Sequence, residues 1–425
     1  MTERVKCTED DCDNLILPTT AVRTGGCCMP CKQKKEREER QKYIEDNRRD
    51  IDPFECVNDP VEIITLHHVK RTPDPLERYL PFQGSLEEVY SQLTEFDEAR
   101  LVELSIQEAE NGNLDYIEYI CLELAAFRST NLSKLHNFML RNKLYYPALI
   151  FKDASSEVIN NLLNRLNHDS ENRNHLLSAL AWSGSEEVTR IFSSWLSNPP
   201  SWSSDLYIPA HDYSKEAGWE LTSSGKVRKL YFERCYPLLP VEKGTLNPSL
   251  NTCTQAQSSC KWCGSKLTNL LDIDLSGEAF KFMGLSGDRL KLTTCEVCSC
   301  YSESLFMNFD TQGNSSWSEF NHQPEYLPDD ADDWERMPTD SFTLSTKARS
   351  ANYAANEFLP TSFSQIGGMP TWVQDSAYPS CPNCQKTMTF VAQIANEEIE
   401  KYGEGTYFMY VCGDCNISAT NYQQT

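Results

Sequence analysis

The sequence has no run of apolar residues near the roughly 20 needed to span a bilayer, and its opening MTERVKCTEDD lacks the apolar core of a secretory leader. These absences predict a cytoplasmic protein without a membrane segment. There is also no GxSxG, no P-loop, no HExxH and no glycine-rich dinucleotide loop; Gly367-Gly368 alone reads as a turn. The seven histidines are scattered, with only His67 and His68 adjacent, so little is available for acid–base chemistry and the expectation is a protein that is not an enzyme. Positive charge is short too: 39 Lys and Arg face 62 Asp and Glu, a formal charge of −23. Affinity for nucleic acid comes chiefly from Lys and Arg on phosphates, so DNA and RNA are not expected partners. The acid excess favours steering towards a basic protein, although an acidic surface is equally ordinary on a protein with no such partner.

Cysteine, by contrast, is plentiful, with 18 residues. In a reducing compartment paired C-x2-C spacing points to metal rather than to disulfides. Cys381-Pro-Asn-Cys384 and Cys412-Gly-Asp-Cys415 flank two strand-like runs, Met388 to Ile394 and Thr406 to Val411. This is the pattern of a four-thiolate zinc ribbon, because a two-residue spacer lets one tight turn aim two sulfurs at a tetrahedral ion. Cys260-Lys-Trp-Cys263 with Cys295-Glu-Val-Cys298 forms a second candidate, around the alternating stretch from Leu270 to Leu275. A third is Cys7 and Cys12 with Cys28 and Cys31; Cys28 is preferred to Cys27 because it has the two-residue spacing. So short a segment buries too little apolar surface to fold without metal. Four soft ligands with no position left for water argue for structural Zn²⁺, two or three ions, rather than a catalytic metal. Cys253 and Cys300 lie close by as spare thiols, Cys56 and Cys235 have no partner at useful spacing, and Cys121 falls on an apolar helix face.

The chain divides at composition shifts. Residues 1–50 hold the first cysteine set and the mixed-charge run KQKKEREERQKYIEDNRRD, a solvated helix without an apolar stripe. Residues 51–84 are a proline-marked connector containing His67 and His68. Between 85 and 198 apolar residues recur at helical spacing, in runs of about ten residues broken at Asn111-Gly112-Asn113, Ser129-Thr130-Asn131 and Ser183-Gly184-Ser185. Such short helices either stack as a HEAT-like array with a concave protein-binding surface or close as a plain bundle. Asn198-Pro-Pro-Ser ends them, and 199–425 is richer in strands, aromatics and turns, with two of the four-cysteine sets. The fold class expected is multidomain α+β. Asp329, Asp330, Asp332, Asp333 and Glu335 surround Trp334, as a contact surface for a basic partner or as a solvated turn after Pro328.

Several of these stretches carry a resemblance. HDYSKEAGWEL, the cysteine-pair module, SQIGGMPTWVQ, the Cys381/Cys384 knuckle and the closing Tyr422-Gln423 together resemble the YwqG-like domain of bacteria, and residues 7–31 resemble a small zinc module at the start of many bacterial proteins. Relatives of the YwqG-like type occur beside polymorphic toxins. The resemblance therefore implies an immunity protein, an antitoxin that binds one cognate toxin in the cytoplasm and blocks its active site. A basic or nucleotide-binding cleft, of nuclease or ADP-ribosyltransferase type, would suit the acidic balance. It implies no catalytic residue. The alternative is a zinc-ribbon adaptor in transcription or translation, which would need basic patches.

Overall fold

The computed structural model describes residues 3–242, 249–327, 340–355, 364–399 and 403–424. Mixed α and β structure is divided between two compact units, residues 1–89 and 90–425. Asp329, Asp330, Asp332, Asp333 and Trp334 lie outside the described residues.

In the first unit a two-stranded hairpin, Val5–Lys6 with Leu15–Ile16, is followed by the short helix Pro18–Thr24, which Gly25 ends in the left-handed conformation at φ 70°. The helix Met29–Asn47 then runs 19 residues without burying one of them. Its side chains alternate in charge, and pairs such as Lys32 with Glu36 and Lys34 with Glu38 lie along its surface. The proline-marked segment after it is more ordered than its composition suggests. Asp59 caps the helix Pro60–His68, with Pro60 at the first position where a missing N–H costs nothing. The strands Arg49–Ile51 and Glu77–Tyr79 pair in parallel, tied by Arg78 to Asp50 and by Arg49 to Glu77.

The second unit opens with short helices whose starts are written in the sequence. Thr94 and Asp97 form a reciprocal capping box on Glu95–Glu110, and Ser155 and Ser185 cap Ser156–Leu166 and Glu186–Ser197. Between them, Ile117–Cys121 is a π-helical turn that continues into Leu122–Phe127. The aromatic stretches around Asp205 and His211 form two 3-10 turns, Ser201–Asp205 and Ala210–Lys215, each preceded by a proline. They dock on the helices through Trp202, which donates to Asn167 at 3.1 Å, and Tyr213, which bonds Asn174; just beyond them the Trp219 indole N–H donates to the Ala181 carbonyl at 3.0 Å.

The strands form an eight-stranded sheet in the order Ser315–Trp317, Leu305–Phe309, Ile417–Gln423, Thr406–Cys412, Thr389–Ala395, Gln365–Gly367, Cys235–Glu242, Asp340–Leu344, with antiparallel neighbours throughout. A three-stranded antiparallel sheet, Arg289–Thr294, Lys266–Asp274 and Leu250–Ser259, packs on one side of it. Their shared core holds Leu271, Ile273, Leu290 and Leu292 from the small sheet and Val391, Ile394, Tyr407 and Met409 from the large one.

The other face of the large sheet is covered by a strap of chain, residues 367–377, whose main chain is served by buried amides. Gln365 donates to the carbonyls of Gly367 and Met369, Gln393 accepts from Thr371 N, Gln423 takes the N–H groups of Val373 and Gln374 and the Asp375 carbonyl, and Asn421 donates to the Ala377 carbonyl. These bonds satisfy loop backbone that has no ladder of its own. The strap holds Trp372 against Phe408, with ring centres 5.1 Å apart. It starts at Gly367 and Gly368, both at positive φ; a Cβ on Gly367 would lie 1.9 Å from the Arg234 carbonyl oxygen.

Candidate metal centres

Three groups of four cysteines come together: Cys7, Cys12, Cys28 and Cys31; Cys260, Cys263, Cys295 and Cys298; Cys381, Cys384, Cys412 and Cys415. Within each group every sulfur lies within 4.8 Å of the others. The Cys12–Cys28, Cys260–Cys298, Cys263–Cys295 and Cys384–Cys412 sulfurs are 3.6, 3.7, 3.5 and 3.7 Å apart. Four sulfurs at a Zn–S distance of about 2.3 Å on a tetrahedron sit about 3.8 Å from one another. The donor set and its spacing therefore fit a tetrahedral, thiophilic ion.

Local structure aims the ligands. In the first group the hairpin presents Cys7 and Cys12, while Cys28 and Cys31 lie at the start of the long helix. The Cys28 N–H donates to Cys7 Sγ at 3.1 Å and the Asn14 amide to Cys28 Sγ at 3.4 Å. In the second, Trp262 N–H points at Cys260 Sγ and Cys298 N–H at Cys295 Sγ, each at 3.4 Å, and the Trp262 ring meets Trp317 edge-on. In the third, the Asn383 amide donates to Cys415 Sγ at 3.3 Å, and Lys386 pairs with Asp414 across the two knuckles at 2.7 Å. Such donors stabilise thiolate, and outer-shell bonds of this kind hold ligands in place. The Asn14 amide draws Cys28 down to about 6, and the Lys386 N–H draws Cys384 down to about 7. Each of these two groups thus offers a ready thiolate near neutrality.

The remaining cysteines stand apart. The Cys27 thiol donates to Glu9, itself paired with Lys35 at 2.7 Å, which turns it away from the cluster that takes Cys28. Cys235 is buried with its thiol 3.3 Å from Gln365 Oε1. Cys121 is fully buried among the helices, and that burial pushes its thiol up to about 12. Cys56 and Cys300 are exposed. Among the described residues the three tetracysteine groups are the only clusters of metal-ligating side chains, and no helix is long and apolar enough to cross a membrane. Gln365, Gln393 and Gln423 fall in stretches that carried the resemblance, but the service of Gln365, Gln393, Asn421 and Gln423 to the strap was missed, since nothing in their local pattern separates a buried amide from a surface one.

No family model matches the sequence, and no solved structure matches it. Over 431 residues, covering 100% of both chains, the protein is 37% identical to one from Salmonella typhimurium described as uncharacterized protein YpfL.

Proposed function

The chain belongs to the family of the Salmonella YpfL protein, and from that premise we propose that it is a zinc-stapled binding protein rather than an enzyme, an immunity protein that occupies the active-site cleft of a cognate toxin in the cytoplasm. The observation that carries this reading is the closure of all three clusters, each with four cysteine sulfurs and no carboxylate or imidazole among them. Zn²⁺ held by four thiolates has no position for water or substrate, so its contribution is to folding. Structural zinc in small modules contributes on the order of 10 kcal/mol or more.

The partner is argued from charge and resemblance. A chain carrying −23 attracts a basic surface over distances comparable with the Debye length and speeds association. The strand-rich region is read as YwqG-like, with the strap SQIGGMPTWVQ as part of that resemblance, and the short helices from Glu95 to Ser197 as a HEAT-like array offering a second surface. The test is recovery of the tagged full-length chain from its host, with zinc measured on the same sample. Three zinc ions per chain, one stoichiometric toxin-like polypeptide and neutralisation of that polypeptide's activity are expected. Recovery of ribosomal or polymerase components instead would replace this reading by an adaptor in translation or transcription, and zinc-replete protein that turns over a substrate would replace it by an enzyme.

A further inference from the structure

The two cysteine groups of the strand-rich region repeat more than a spacing. Aligned on their first cysteines, Ser259-Cys260-x-x-Cys263 and Ser380-Cys381-x-x-Cys384 begin the same path. In both knuckles the first cysteine's N–H bonds the carbonyl five residues on, Cys260 to Ser265 and Cys381 to Lys386, each at 2.8 Å. The residue after the second cysteine is left-handed in both, Gly264 at φ 80° and Gln385 at φ 61°. The next strand then carries one bulge at the same place. In the first copy the register shifts where Leu270 is passed over, between the pairs Asn269–Thr293 and Leu271–Leu292; in the second it shifts at Val391, between Phe390–Tyr410 and Ala392–Met409. Leu270 and Val391 are both fully buried in one shared core. Each partner strand runs straight into the second cysteine pair, Cys295/Cys298 or Cys412/Cys415.

The correspondence extends upstream of the knuckles. Asn251 faces Asp272 and Thr252 faces Leu271, as Gln365 faces Gln393 and Ile366 faces Ala392. The following residue is left-handed in each copy, Cys253 at φ 52° and Gly367 at φ 72°. A cysteine and a glycine share an uncommon conformation there because the strand must turn opposite the same bulge.

We infer that residues 250–309 and 364–423 are two copies of one metal-bearing four-strand unit, folded onto each other as an internal pseudo-twofold dimer. The seams fit a twofold: the last strands of the copies, Leu305–Phe309 and Ile417–Gln423, pair antiparallel with each other. The strands flanking the copies, Cys235–Glu242 and Asp340–Leu344, also pair antiparallel. The first of these flanks Ile366 through Tyr236, and the second reaches the equivalent Thr252, whose Oγ1 accepts from Phe342 N. Isologous contacts of this kind are the signature of a twofold interface.

The copies differ in the link before the first cysteine, in the step from first to third cysteine, 35 residues in copy one and 31 in copy two, and in the last strand, which pairs with the strand before it in copy two only. Six residues, 254–259, separate the left-handed residue from the first cysteine in copy one, and thirteen, 368–380, in copy two. The extra seven give copy two the length for its strap. Beneath it copy two places Phe390, Phe408 and Tyr410; copy one, without a strap, has Asn269, Lys291 and Thr293 at those positions, with Asn269 bonded to Thr254 and Thr293. The two metal sites are therefore the same site twice, and the set at Cys7 to Cys31, with a four-residue first spacer and only the two-stranded hairpin Val5–Lys6 with Leu15–Ile16 beside it, is of another kind.

This inference rests on the metal reading only for its readout, and full-length protein tests the two separately. Lys261→Pro/Trp262→Asn/Gly264→Gln gives copy one the knuckle of copy two, and Pro382→Lys/Asn383→Trp/Gln385→Gly does the reverse. Zinc per chain equal to wild type and an unchanged thermal transition of the unit 90–425 are expected for both exchanges. Loss of one equivalent of zinc in either exchange, in protein that remains folded, overturns the equivalence. Cys263→Ser and Cys384→Ser are each expected to remove one equivalent and to lower amide protection in both 250–309 and 364–423, since the copies share a core; protection of one copy left untouched by loss of the other copy's cysteine would overturn the twofold unit. Wild-type protein without zinc would refute the metal reading instead, and the exchanges would then be judged by their thermal transition alone.

Discussion

At Gln423, 7% exposed, one amide serves three main-chain groups of a segment about fifty residues away in sequence. Leucine there would fill the space and leave those groups unpaired, at about 1–3 kcal/mol for each that water does not reach. Gln423→Leu is expected to lower the urea midpoint and to change Trp372 fluorescence, because the strap that seats Trp372 on Phe408 loses its hold. His136 makes a prediction in pH. It is 3% exposed, stacked on Phe151, and its Nε2 donates to the Ile150 carbonyl at 2.8 Å. Burial lowers its pKa below the ordinary 6.5. The unfolded chain then binds a proton at higher pH than the folded one, so stability is full above 6.5 and declines as pH falls through it. His136→Phe should flatten that part of a stability-versus-pH curve, measured by denaturant titration, while costing stability at pH 8 through the abandoned carbonyl. Neither residue could be read in the sequence for what it does: a glutamine near a terminus and a lone histidine on a helix are ordinary until their distant partners are known. The cysteines were legible because their chemistry is written in local spacing.

Among elements, the helix Met29–Asn47 is expected to depend on the cysteine module at its start. It buries nothing, and an isolated helix of its length is marginal in water because nucleation is costly. Cys31 sits in its first turn beside the N-cap Cys28, so a metal held by both would fix that turn. Cys28→Ser is expected to remove one metal and fray this helix, seen as faster amide exchange across residues 29–47, with the strands of 364–423 still protected. Unchanged protection over 29–47 would show that its charge pairs suffice. The helices Ser156–Leu166 and Glu186–Ser197 were readable from periodicity and the breaks between runs, while the π-helical turn Ile117–Cys121 was not. The strap was not readable, since a loop lying across a sheet has neither period. Nor was the match of Leu270 with Val391, because a bulge is defined by a partner strand.

For the whole molecule the acid excess sets what can be measured. If a basic partner is drawn by −23 charges, raising salt from about 0.05 to 0.5 M should slow association far more than it speeds dissociation. A rate independent of salt would detach the charge from the function. The mixed α and β class and the cysteine sets were legible from composition and spacing; the joining of the short helices and the sheets in one compact unit, 90–425, was not, because their contacts, such as Phe127 stacked on Tyr353, span more than 200 residues. If the tetracysteine clusters take up Zn²⁺, maturation of this chain is an acid-producing event. Thiols give up their protons to bind Zn²⁺, and with twelve cysteines in three groups each chain that loads releases up to a dozen into its surroundings. Newly made protein would then be a metal sink and a proton source at once, and a drop in local pH would work against its completion before touching the finished fold.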